Sequence, residues 1–209
     1  YSSQVGASKI AIMLGYEKLK DAYYNFGFGK PISINFPSSA FGLMNIKDKI
    51  SDKELASLGY GYGLTISPFQ ITSAYSVFAN KGIYKDFKIL KSDEVGLNRV
   101  ISEDSAKHTL EALKEVVHIG TGKNADINGY TEGGKTGTVH KTSYGNGYAE
   151  DSYRASFVGI APLSDKSLTI FVSIDEPGLN AYSGGMIAAP LFKKIADSSL
   201  NYLGYSEDE

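Results

Sequence analysis

The chain has no cysteine and no tryptophan among its 209 residues. Without thiols, a disulfide framework and thiol catalysis are excluded, and a structural zinc site loses its usual ligands. Arginine is nearly missing too: Arg99 and Arg154 are the whole supply, and lysine carries the remaining positive charge. Bidentate phosphate recognition leans on arginine, and the net charge is -2, so no nucleic-acid partner is expected. No apolar run approaches the roughly 20 residues that span a bilayer. His108, His118 and His140 lack metal-ligand spacing, so neither a metal nor any other cofactor is expected.

What is present fits a folded domain, or a large piece of one: 42% of residues are hydrophobic and 21% charged. The opening residues, Tyr1-Ser2-Ser3-Gln4-Val5-Gly6, show neither an initiator methionine nor a signal-peptide pattern. An excised or cleaved fragment is therefore expected.

Local signals divide the chain clearly. Ser2 or Ser3 is placed to cap a helix running through Ile10 to Leu14, with Gly15 as its stop. A second helix is predicted over 16–26, ended by Gly27, Gly29 and Pro31. Residues 32–58 read as mixed and loop-like, with a short helix starting near Ser51. The run Gly59-Tyr60-Gly61-Tyr62-Gly63 is too glycine-rich for a regular element. Ser67-Pro68 reads as N-cap and first helical position of a helix that stops at Asn80-Lys81-Gly82. A strand is predicted over 83–90, a helix over 102–117 and a polar loop over 120–128. Three strands follow, over 135–142, 153–161 and 168–174, with Ser143 to Gly147 as a hairpin connection. A last helix closes the chain over 188–203. Helices first, then an antiparallel meander, then a helix reads as an α+β fold.

The chemistry centres on Gly133-Gly134-Lys135-Thr136-Gly137-Thr138. Two enzyme classes compete for it. Gly129 through Thr136 formally matches the phosphate-binding G-x-x-x-x-G-K-[ST] loop of a nucleotidase. Such a loop must follow a buried strand and open a helix. Here polar residues precede it, and Gly137-Thr138-Val139-His140-Lys141-Thr142 favours a strand. The other class uses Lys-Thr-Gly on an edge strand, as penicillin-binding proteins and β-lactamases do. Gly137 lets a substrate backbone approach, and an open edge pairs with an extended peptide. Lys135 brings a positive charge, and Thr136 and Thr138 offer hydroxyls to a terminal carboxylate.

The context of that motif carries a resemblance. The segment 59–70, GYGYGLTISPFQ, resembles the family's signature before a buried helix. The segment 155–162, ASFVGIAP, resembles the strand after the Lys-Thr-Gly hairpin. The segment 183–192, SGGMIAAPLF, resembles the start of its last helix. Ser2-Ser3-Gln4-Val5-Gly6 sits where the family has Ser-x-Asn followed by Val-Gly, with Gln4 in place of asparagine. In this order, these segments make the chain similar to the C-terminal part of a class B, division-type (FtsI-like) penicillin-binding transpeptidase domain. The resemblance covers nearly all of residues 1–209.

That resemblance implies an antiparallel sheet flanked by helices, in an incomplete penicillin-binding, serine β-lactamase-like domain. It implies a D,D-transpeptidase that cross-links peptidoglycan stem peptides through a serine acyl-enzyme and is trapped by β-lactams. On the matching positions, Ser2 would relay a proton and Lys135 would tune its pKa. Gln4 would bind the substrate's amide side, Thr136 and Thr138 its carboxylate, and Gly137 would let it approach. The backbone N–H of Thr138 would form half of an oxyanion hole. The family's nucleophilic Ser-x-x-Lys does not occur in this sequence. The fragment alone is therefore expected to be inactive, and to need the missing N-terminal part of its own domain. A membrane anchor outside the chain, the periplasmic face of the inner membrane and division-protein partners are implied likewise. The alternative that keeps the fold without the chemistry is a pseudo-enzyme or binding module.

Overall fold

The computed structural model describes residues 2–32, 42–44, 47–91, 93–143, 147–164, 166–178 and 181–208. They form two compact units, Ser2–Ser102 and Glu103–Glu209.

The first unit is mostly helical, and its ends are set by local chemistry. Helix α1 (Gln4–Leu14) is capped by Ser3, whose hydroxyl accepts from the Gly6 N–H at 3.1 Å. Gly15, with φ of 81°, stops α1 and leads directly into α2 (Tyr16–Asn25). Helix α3 (Asp52–Gly59) starts in a capping box: Glu54 N donates to Ser51 Oγ at 3.2 Å, and Ser51 N donates back to Glu54 at 2.9 Å. Helix α4 (Pro68–Ala79) repeats the device with Ser67 and Gln70, and has proline near its start.

Gln70 then does more than cap. It is buried, and its amide accepts from Gly42 N and Ser67 N and donates to the carbonyls of Gly27 and Lys30. One side chain thus ties three loop segments to α4. Apolar burial in this unit rests on Ala11, Leu55, Ala74 and Val77 among the described residues.

The strand expected over 83–90 is shorter than that. β1 (Ile83–Lys85) pairs antiparallel with β2 (Leu97–Arg99), an element that the sequence reading missed. Beyond Lys85 one more bond follows, Asp86 N to Gly96 O at 3.0 Å, and Phe87 then packs against the Phe69 ring at 4.9 Å. The loop reading of 32–58 falls partly outside the described residues.

The second unit is a three-stranded antiparallel sheet between helices. Helix α5 (Glu103–His118) carries Glu103 and Asp104 in its first turn, where the helix dipole favours them. The stretch after it is not wholly a polar loop: a 3-10 turn at Lys123–Ala125 buries Ala125, and Ile127 follows it inward. The sheet order is β3 (Gly133–Ser143), β4 (Gly147–Ala161), β5 (Leu168–Asp175). All three strands run close to the expected positions, the first two beginning earlier. The tip of the β3–β4 hairpin, 144–146, lies outside the described residues. A π turn at Gly184–Ala188 feeds α6 (Ala189–Leu203).

Phe157 of β4 and Phe192 of α6 meet at 4.9 Å between ring centres, with Ile127, Tyr130, Val172 and Leu200 around them. At the sheet's far end, Asp175 bridges Lys141 and Arg154, each at 3.2 Å, and Glu176 holds Lys141 at 2.7 Å. This network joins all three strands. After α6 the chain returns: Asp208 accepts from Thr131 N and Thr131 Oγ1, and its own N–H donates to Gly129 O. No helix among the described residues is long and apolar enough to cross a membrane.

Candidate active site

The residues singled out by the sequence fall into two groups. Lys135, Thr136, Gly137 and Thr138 lie consecutively on β3, opposite Val158, Phe157, Ser156 and Ala155 of β4. Ser2 and Gln4 stand exposed at the head of α1, in the other unit. The helix cap is Ser3, so capping does not account for Ser2.

β3 is an edge strand: β4 is its one strand partner among the described residues. That geometry decides between the two readings of Gly-Lys-Thr. A phosphate loop must curl and open a helix at this point. Here strand continues from Gly133 to Ser143, as its threonines and Val139 favour. The nucleotidase reading is therefore overturned.

Around the strand, small residues and hydroxyls fix the geometry. Lys135 is partly buried, and its ammonium donates to the Thr136 carbonyl at 2.9 Å. Burial pulls its pKa below the ordinary lysine value, since a desolvated ammonium is disfavoured. The Thr136 hydroxyl pairs with that of Thr121 at 2.8 Å. The Thr138 hydroxyl accepts from Gly184 N at 3.1 Å. With that lone pair taken, it keeps its own proton to donate. Asn124 in turn donates to the Gly185 carbonyl at 2.8 Å, tying the 3-10 turn to the π turn.

Two glycines are dictated by close approach. A Cβ on Gly184 would lie 2.2 Å from Ser156 O and 2.6 Å from Gly137 O. A Cβ on Gly134 would lie 2.4 Å from the Phe157 ring. Further along β3, the His140 ring stacks on Tyr153 at 4.6 Å, and Tyr153 stacks on Tyr182 at 4.5 Å.

Thr121 and Asn124 were not among the expected site residues. Thr121 had a weak signal, its flanking glycines Gly120 and Gly122. Asn124 had none, because its partner lies 61 positions away. Chemically, the arrangement presents an open strand edge, a partly desolvated cation and hydroxyl donors. That set suits an extended chain ending in a carboxylate.

Comparison with known proteins gives this arrangement a context. Residues 1–197 match the model of the penicillin binding protein transpeptidase domain. The probable peptidoglycan D,D-transpeptidase PbpC of Pseudomonas aeruginosa is 36% identical over 209 residues, 99% of this chain and 37% of that protein. FtsI of Escherichia coli, a peptidoglycan D,D-transpeptidase, is 32% identical over 209 residues, 99% of this chain and 35% of that protein. The chain thus spans little more than a third of these relatives. Among solved structures, the transpeptidase domain of Burkholderia pseudomallei penicillin-binding protein 3 superposes with a TM-score of 0.90 at 34% identity. The match covers 99% of this chain and 63% of that one. Penicillin-binding protein 3 of Mycobacterium tuberculosis, solved with aztreonam, gives 0.90 at 29% identity over 100% of this chain and 51% of that one.

Proposed function

The chain belongs to the penicillin-binding protein transpeptidase domain family, and from that premise we propose that residues 1–209 are the C-terminal part of one D,D-transpeptidase domain. Its substrate is the peptidoglycan stem peptide, and β-lactams occupy the same site. The observation that carries this reading is the run Lys135 to Thr138 along an open strand edge, its threonines set by Thr121 and Gly184.

The proposed reaction begins with a serine supplied by a Ser-x-x-Lys outside these residues. Its oxygen attacks the carbonyl between two terminal D-alanines. A C–O bond forms, the C–N bond breaks, and D-alanine leaves with a proton relayed through Ser2. An amine of a neighbouring stem then attacks the ester; the new amide forms, and the serine recovers its proton. Lys135 tunes this proton traffic. Gln4 binds the amide side of the substrate. Thr136 and Thr138 hold the carboxylate, Gly137 admits the peptide backbone, and the Thr138 N–H faces the developing oxyanion. The work belongs to cell division at the periplasmic face of the inner membrane, beside other division proteins, through an anchor outside this chain.

Two measurements test the reading. A polypeptide of residues 1–209, incubated with a labelled β-lactam, should show no adduct by intact mass; a stable adduct overturns the assignment. In the complete transpeptidase, Lys135→Ala should slow acylation by roughly 100-fold or more, the scale of a positioned proton-transfer group. An unchanged rate would remove Lys135 from the mechanism.

A further inference from the structure

Among the described residues β3 has a strand partner on one side only, and Gly133-Gly134 at its start carry no side chain to anchor it. Its position depends on the ladder to β4 and on the residues that lead into it. That lead-in, 129–131, is gripped by the strap that follows α6, Gly204 to Asp208. Tyr130 is buried, and its hydroxyl donates to the Tyr205 carbonyl at 3.0 Å. Gly129 turns with φ of 83°, and its carbonyl accepts from Asp208 N at 3.0 Å. A Cβ on Gly129 would lie 2.7 Å from the Glu207 side chain, so strap and lead-in are in close contact. The Asp208 carboxylate closes the clamp: it accepts from Thr131 N at 2.7 Å and from Thr131 Oγ1 at 2.6 Å. Both donors belong to one residue, so the pair fixes orientation as well as distance. Thr131 passes the hold on, since its carbonyl and hydroxyl accept from Leu163 N, just past β4, at 3.0 Å and 3.3 Å.

We infer that Asp208 is a positioning residue for the transpeptidase reaction: acting through Thr131, four positions before Lys135, it fixes where Lys135 to Thr138 meet the substrate. The inference rests on the proposed function, which makes that run the reacting edge. Three observations favour placement over holding the fold together. Asp208 is exposed and outside the core of Phe157 and Phe192, so its loss leaves that core filled. Its three bonds end on Gly129 and Thr131, immediately upstream of the strand. And the lead-in also reaches the strand's flank. Glu132 holds Ile127 N at 3.0 Å, and the chain just before carries Asn124 and Thr121, which bind Gly185 and Thr136. Displacing 129–131 therefore disturbs β3 from its start and from its side. The match to the family model ends at residue 197, so the strap lies outside it.

The test is the rate at which a labelled β-lactam acylates the complete transpeptidase, measured well below its melting temperature. Asp208→Ala should slow acylation about 10-fold, short of the roughly 100-fold that an ångström of misplacement costs. Asp208→Asn keeps an oxygen for Thr131 N and should stay within about threefold of the parent. Thr131→Val removes only the hydroxyl and should slow the reaction about threefold, one bond's share. Because both residues act through one contact, the double variant should be no slower than Asp208→Ala alone. Asp197→Ala on α6, whose carboxylate accepts from Asn201, is the control and should leave the rate unchanged. An unchanged rate in folded Asp208→Ala would overturn the inference. So would losses that multiply in the double variant, or an Asp208→Asn as slow as Asp208→Ala. Should circular dichroism show Asp208→Ala unfolded, Thr131→Val at the parent's rate would overturn it instead. Lys135→Ala in the same series keeps the two readings apart. If it acylates at the parent's rate, the proposed function fails; if it is slow while Asp208→Ala is not, only this inference fails.

Discussion

Residues 103–208 fill their centre with Phe157, Phe192, Ile127, Ile160 and Leu200, whereas residues 2–102 bury Ala11, Leu55, Ala74 and Val77 and set Gln70 among them. The sheet unit is held by large apolar side chains in mutual contact. The helical unit fully buries smaller ones and a polar hub, with the partly buried rings of Phe26, Tyr75 and Phe78 packed together beside them. Its bulkiest apolar residues on α1 stay outside. The contrast lies in what each unit buries completely: large apolar side chains in one, smaller ones and a hydrogen-bonded amide in the other.

The sharpest test of that contrast is Phe192→Ala, which opens a cavity beside Phe157 and should cost about 3–5 kcal/mol. Thermal unfolding followed by circular dichroism would read it, and a loss under about 1 kcal/mol would break the volume argument. Next comes Gln70→Leu. It keeps the bulk but strands two N–H groups and two carbonyls, so about 3 kcal/mol should be lost. A neutral result there would show that the hub is dispensable. Ser67→Ala removes one cap bond of α4 and should cost about 1 kcal/mol.

The smallest effect concerns pH. Lys47 and Ser51 hold the Glu54 carboxylate down to about 2. A carboxylate whose folded pKa is depressed contributes stability above its unfolded pKa, and loses it as pH falls through the folded value. Stability should therefore dip between about pH 4.5 and 2. Both partners are exposed, so the dip will be slight and should shrink in salt. Glu54→Gln should remove this component from the acid limb; an unchanged acid limb would argue that the ion pair contributes nothing.

Most of the fold was legible where the signal was local. Ser51, Ser67-Pro68 and Gly15 mark helix ends through bonds to residues three or four positions away. The β3–β5 meander showed through β-branched runs, and the strand reading of Gly133 to Thr138 followed from the residues after the lysine. What stayed hidden depended on distant partners. The extent of β1 is set by a three-residue β2 that ends at Arg99. The π turn before α6 has no periodicity a sequence reader would recognise. Within the site, the Lys135–Thr138 run was visible as a motif. Thr121 entered through a contact across 15 positions and Asn124 through one across 61.

Gly134 and Gly184 carry a consequence for how this surface can change over generations. Any side chain at either position would collide with a ring or with backbone. Both are thus closed to ordinary substitution, and heritable variation in what the strand accepts has to enter from the side. Thr121, Asn124 and Ser156 are the open doors. On the proposed reading, variants with altered peptide acceptance should carry their replacements at those bystanders, with the glycines untouched.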